Sequence, residues 1–366
     1  MRPRVQLRVA MTVLYSSQTQ AVPLGLERKK LVQKVVGPCC CAHWYSPLGE
    51  TVATPEIRFF DLFFDETPSC TRCIMSLTAY IVAGESYARC DSARDVFKSE
   101  ASSGAPFERR RTLLVPTVCV GNVAQLAIDL ILASIQDHAE HIAMLCHPLV
   151  LPCFGVNPYA SRADQSNGED TKGITSHSAH PMDLYRLNRA VDVTSGARTA
   201  EDSDVYILQQ RAPASAGCQV AFSNDLMAWA REAGFDDVWI LGSLSAEYRK
   251  DKDLAQVDDV KFLCGESAGS LALGKECAEA GLSVLGDEYR EMHDSEPFHM
   301  PWALLKAAGV TEPSEPAAGE LRSAAILKFV LEGDNRMDAV VMAKAVGTVI
   351  GVDVDGRRVP SSWMHE

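Results

Sequence analysis

The chain has 366 residues, 47% hydrophobic and 23% charged, enough to bury a sizeable core in one large domain or two ordinary ones and too apolar for a wholly disordered chain. Thirty-five Lys and Arg against forty-eight Asp and Glu leave a formal charge of −13, which repels phosphate backbones and argues against nucleic acid as a partner. No uninterrupted apolar run reaches the roughly 18 residues of a membrane-spanning helix, so no membrane partner is expected.

Residues 1–38 carry Arg2, Arg4, Arg8, Arg28, Lys29, Lys30 and Lys34 against the single acid Glu27, a composition that mimics an organellar presequence. Strand-like residues begin at Met75 and run through Val82, so 1–74 is expected to be a non-native or disordered extension and 75–366 the folded domain. Thr112–Val120 reads as a buried strand, and Gly121-Asn122 as a tight turn that opens a helix. In that helix Val123, Leu126, Ala127, Leu130 and Ile131 form one apolar stripe. A second strand, His141–Val150, leads to Gly155-Val156-Asn157-Pro158-Tyr159, where Gly and Pro end regular structure.

Ser161–Asp204 has little periodicity and is expected to be a long surface loop. Order resumes with a strand at Val205–Gln210 and a helix with Phe222, Leu226, Trp229, Ala230 and Ala233 on its apolar face, stopped by Gly234. Val238–Leu241 and Val260–Cys264 read as further strands. Near the end, Ile326, Phe329 and Val330 are expected on one helix and Met337, Val340 and Val341 on another. Gly333-Asp334-Asn335 separates them, with Asp or Asn able to cap the second. Strands alternating with helices predict an α/β domain with a mostly parallel sheet. The twelve cysteines are scattered, several in apolar runs, as reduced thiols of the cytosol or nucleus are.

Three patterns suggest chemistry. Gly265-Glu266-Ser267-Ala268-Gly269 fits the nucleophile elbow of an α/β serine hydrolase, with Ser267 as nucleophile. No His-Gly-Gly run supplies an oxyanion hole, and only His293, His299 and His365 follow Ser267. Gly269–Lys275 imitates a phosphate loop, but Glu276 stands where Ser or Thr would bind magnesium. Cys70 and Cys73 have zinc-ligand spacing, with Cys39, Cys40, Cys41 and His43 upstream, yet no second well-spaced pair follows. Neither a metal nor a cofactor is expected.

Four blocks carry a family resemblance: Leu113–Pro116 with Gly121–Ala127, then Gly155–Tyr159, then Leu327–Asn335, and Val359–Trp363. In order and spacing they resemble the proteasome assembly chaperone 2 family, over Thr112 to Trp363 well and over Met75 to Arg111 faintly. The resemblance implies a three-layer α/β/α domain similar to nucleoside phosphorylases, without catalysis. It implies a heterodimer with proteasome assembly chaperone 1 that holds α subunits of the core proteasome while their ring closes, blocking premature ring pairing in cytoplasm and nucleus. Gly121, Asn122, Asn157, Pro158, Tyr159, Gly333, Asp334, Asn335 and Trp363 are then family-motif positions with structural or interface roles. The sequence departs from the family in the segment before Met75 and in the polar stretch Ser161–Asp204. It also ends in Met364-His365-Glu366, which lacks the hydrophobic–Tyr–any tail some assembly chaperones insert between α subunits.

Overall fold

A computed structural model of the chain describes residues 77–83, 86–90, 92–97, 110–159, 178–187, 203–253, 260–265, 267–292, 299–309, 321–360 and 363. All lie in the unit Thr71–Glu366. The expected extension 1–74, with the cysteines of the zinc spacing, and the last residues 364–366 fall outside the described residues.

In chain order the elements are β1 (Thr78–Ala83), β2 (Ser86–Arg89), β3 (Arg110–Pro116), α1 (Val123–Ser134), β4 (Ala139–Cys146), β5 (Gly155–Val156), β6 (Ser178–Ala179), β7 (Met182–Leu187) and β8 (Ser203–Gln210). There follow α2 (Gln219–Glu232), β9 (Asp237–Ser245), β10 (Val260–Cys264), α3 (Ala268–Glu279), β11 (Ser283–Val284), α4 (His299–Gly309), β12 (Arg322–Val330) and α5 (Arg336–Ile350). Ten of the described strands form one sheet in the order β11-β10-β12-β9-β3-β8-β7-β4-β1-β2, and β5 pairs with β6 in a separate ribbon. The centre, β12-β9-β3-β8, is parallel. Antiparallel pairing joins β10 to β12 on one side and β7, β4, β1 and β2 in succession on the other. The α/β expectation holds, with the parallel pairing concentrated where the sheet is covered on both faces.

Burial explains that centre. On β3, Leu113 and Val115 enter a core with Phe222, Leu226 and Trp229 of α2 and Leu304 of α4. Leu114 between them points the other way, into a core with Ile128 and Leu132 of α1, Leu273 of α3 and Val346 of α5. Such strands need apolar residues at every position and read as continuous runs, each fully buried Leu or Ile contributing about 1.5–3 kcal/mol. The result is three layers, with α2 and α4 on one face and α1, α3 and α5 on the other.

Gly234 ends α2 as expected. With φ +81° it lets Phe235 N–H reach Ala230 O at 3.0 Å while its own N–H reaches Arg231 O at 3.0 Å, the two bonds of a Schellman stop.

Two expectations are corrected. Arg322–Val330 is not a helix but β12, with every residue after Arg322 buried. A strand buried on both faces offers no alternation, and its apolar positions imitated a helical stripe. Ser161–Asp204 is not one loop: it contains β6, all of β7 and the start of β8, with Met182, Leu184 and Tyr185 buried. Six residues set between polar stretches were too short a run to stand out. The helices α3 and α4 were not anticipated.

Candidate functional site

The C-terminal ends of β3, β8, β9 and β12 form one rim, and three of the family-motif blocks meet there. Beyond β3, Thr117 N–H bonds Leu241 O of β9 at 2.8 Å, and its hydroxyl donates to the same carbonyl at 2.9 Å. The chain then turns into α1 through Gly121 (φ +64°) and Asn122 (φ +53°), two successive left-handed residues. Glycine adopts that region freely, and Asn tolerates it better than other side chains. Ser243 of β9 holds the turn from below: its N–H lies 3.0 Å from Cys119 Sγ, and its hydroxyl donates to Val120 O.

Asn335 closes the turn from above. A Cβ at residue 121 would run into the Asn335 carboxamide. That carboxamide donates to Leu331 O at 2.9 Å and Gly333 O at 3.1 Å, fixing the β12-to-α5 connection. Asn335 therefore occupies the N-cap position of α5 without capping it through its side chain. Asp334 takes a different task, accepting from the Arg336 N–H at 3.2 Å.

The Asn157-Pro158-Tyr159 block is wholly buried. Asn157 Oδ1 accepts from the Tyr159 N–H at 2.9 Å, and the Tyr159 hydroxyl donates to Asp129 Oδ1 of α1 at 2.5 Å. The same oxygen accepts from Gln209 Nε2 at 2.5 Å and Arg211 Nη2 at 3.1 Å. Burial first, and then the Asp129 charge, push the Tyr159 phenol well above its ordinary range. This network sits where β3 and β8 lie side by side while α1 and α2, which follow them, cover opposite faces. Open α/β sheets commonly bind ligands at such a switch point. Here Asp129, Tyr159, Gln209 and Arg211 occupy it. Trp363 is half-buried against the α1/α5 core, and its backbone N–H donates to Pro360 O at 2.9 Å.

Asp129 was missed by sequence reasoning, although one acid inside the apolar run Val123–Ser134 is a signal, because a buried carboxylate needs partners. Asp183 is a second such case. Buried on β7, it takes hydrogen bonds from His141 Nε2 at 3.0 Å and His180 Nδ1 at 2.9 Å. Burial opposes its charge, but the two His hydrogen bonds outweigh that and hold it far below the ordinary carboxylate range.

Ser267 lies at the end of β10, which runs against β12, and so at the opposite edge of the sheet from this rim. Its Oγ accepts from Ser270 N at 3.1 Å as N-cap of α3 and donates to Ser270 Oγ at 2.9 Å. A hydroxyl engaged in both roles is a helix cap. The side chains of His293, His299 and His365 lie outside the described ones. Among the described residues no group of three or more His, Cys, Asp or Glu is placed to hold a metal, and no helix is long and apolar enough to cross a membrane.

These features define an α/β/α protein whose rim side chains serve backbone geometry and buried packing. The chain belongs to the PAC2 family, whose model matches residues 113–349. It is 27% identical over 234 residues to proteasome assembly chaperone 2 of Nematostella vectensis, covering 63% of this chain and 84% of that one. To the protein of the same name from Mus musculus it is 26% identical over 265 residues, covering 69% and 89%. Among solved structures, Pyrococcus furiosus PbaA, described as an archaeal homolog of proteasome-assembly chaperone, aligns over 68% of this chain and 84% of its own. The TM-score is 0.42 at 15% identity. Pyrococcus furiosus PbaB, an archaeal proteasome activator, aligns over 69% and 88% with a TM-score of 0.44 at 10% identity.

Proposed function

We propose that the chain is a proteasome assembly chaperone that pairs with a homologue of proteasome assembly chaperone 1. The pair holds α subunits of the core proteasome while their ring closes and prevents off-pathway ring pairing. It works by binding, with no cofactor, in the cytoplasm and nucleus. The observation that carries this reading is the family match over residues 113–349, together with relatives that bear the name proteasome assembly chaperone 2.

Two physical features support it. Gly121, Asn157 and Asn335 are occupied in turns and buried hydrogen bonds, and Ser267 is a helix cap, so the motifs account for a scaffold without a reaction. The charge of −13 favours capture of basic or mixed protein surfaces, where complementarity speeds encounter. Light scattering after single and joint expression tests the pairing. The chain should be less stable alone than in a defined heterodimer with its partner, since partner binding adds stability that depends on partner concentration. A stable monomer that ignores the partner would end this reading.

A further inference from the structure

Among the described residues, four of the nine exposed large hydrophobic side chains fall on two segments that the chain ties together. Leu151 (47% exposed), Phe154 (60%) and Val156 (76%) stand on the stretch that leaves β4, and Val220 (51%) on the first turn of α2. The two segments are tied together. Leu151 N–H bonds Pro213 O at 3.0 Å, Ser215 N–H bonds Leu149 O at 2.6 Å, and Val150 bridges Ala214. His147 Nε2 meets Asp225 Oδ2 of α2 at 3.0 Å.

The segment is also fastened from below. Phe154 packs edge-on against His180 at 6.0 Å between ring centroids. His180 is held through its N–H and Nδ1 by the two oxygens of Asp183, each at 2.9 Å. At the far end, Tyr159 is anchored to Asp129. Single exposed apolar residues are ordinary, but a group of them on a rigidly held strap marks an interaction site. A strap already ordered loses little entropy on docking.

Sequence and charge narrow the occupant. The adjoining stretch 160–177 is polar throughout, with Ala160, Ala163 and Ile174 its only aliphatic residues, a poor cover for Phe154 and Val156. A second copy is disfavoured because the chain is strongly acidic, with a formal charge of −13. An apolar surface with a basic rim complements both the strap and the charge.

We infer that the strap 147–156, with the first turn of α2, is the docking face for an apolar, basic-rimmed surface of the partner chaperone. This rests on the heterodimer reading above. The test uses the full chain and the homologue of proteasome assembly chaperone 1, with affinity measured by calorimetry. Phe154→Ser with Val156→Ser should weaken binding at least thirtyfold. Leu331→Ser with Met337→Ser, equally exposed on the β12-to-α5 connection and the first turn of α5, should change it less than threefold. Val156→Asp alone, which leaves the Phe154–His180 packing untouched, should weaken it at least tenfold. Thermal melts of all variants should match the wild type.

Strap variants that bind within threefold of wild type would overturn the inference while leaving the heterodimer intact. A wild-type chain that fails to bind the partner would instead remove the heterodimer reading, and the inference with it. A homodimer of the chain alone that dissociates on Val156→Asp would assign the face to self-association and also overturn the proposal.

Discussion

Asn335 holds its carboxamide in the space that a Cβ on Gly121 would need, so two family blocks more than two hundred residues apart in sequence fit together as turn and stopper. Gly121 also sits at φ +64°. Gly121→Ala should therefore suffer both backbone strain and overpacking, a loss of about 2–4 kcal/mol. Asn335→Ala should cost about 1–2 kcal/mol through its hydrogen bonds to Leu331 O and Gly333 O. Because the small side chain relieves the clash, the double variant should be more stable than the sum of the singles by about 1 kcal/mol or more, as read from a denaturant-unfolding cycle. Strict additivity would mean that the two residues are not coupled.

Asp183 predicts an acid-sensitive term in stability. Its carboxyl is held below the ordinary value of 3.8, so the folded state favours the ionised form. That contribution is fully present above the ordinary value and is lost as pH falls below it toward the depressed folded value. Urea unfolding between pH 6 and pH 3 should show the wild type losing stability more steeply than Asp183→Asn. At neutral pH the Asn variant should be weaker by about 2–4 kcal/mol, having lost the charge that two His side chains bind. Parallel slopes would show that Asp183 is not the linked group.

Lys328 and Asp338 should respond asymmetrically. Lys328 is buried on β12 with its ammonium 3.5 Å from the half-exposed Asp338 carboxylate of α5. Asp338→Ala leaves a buried cation without that partner and should cost about 2 kcal/mol or more. Lys328→Met removes the charge and keeps the volume, and should fall within about 1 kcal/mol of wild type. Chemical denaturation of the two variants separates these outcomes, and a larger loss in Lys328→Met would contradict the assignment.

Ser267 should behave as a cap. Ser267→Ala is expected to lower stability by about 1 kcal/mol. A fluorophosphonate probe should label wild type and variant equally little, and labelling that vanishes in the variant would restore the hydrolase reading.

The legible parts of the fold were those where one element has one clear pattern. Thr112–Val115 and the stripe Val123 to Ile131 gave β3 and α1, and Phe222 to Gly234 gave α2 and its stop. What stayed hidden depends on both faces or on distance. Arg322–Val330 lacks alternation because Ala325 and Leu327 enter one core while Ala324 and Ile326 enter the other. Met182–Leu187 is a strand whose neighbours, β4 and β8, come from either side of it in sequence. At the rim, Gly121-Asn122 announced a turn, but its contact with Asn335 is set by the sheet order and by no local spacing. Asp129 and Asp183 each stood alone among apolar residues, and only the fold supplies the Tyr, Gln, Arg and His that hold them.

The central claim is that this chain acts by holding other proteins of the proteasome assembly pathway. Affinity purification of the full chain from its own cells, followed by mass spectrometry, tests it most directly. Proteasome α subunits and one further chain of the same family should be recovered together, in amounts comparable to the bait. Recovery of the chain by itself, with no α subunit and no homologous partner, would contradict the account.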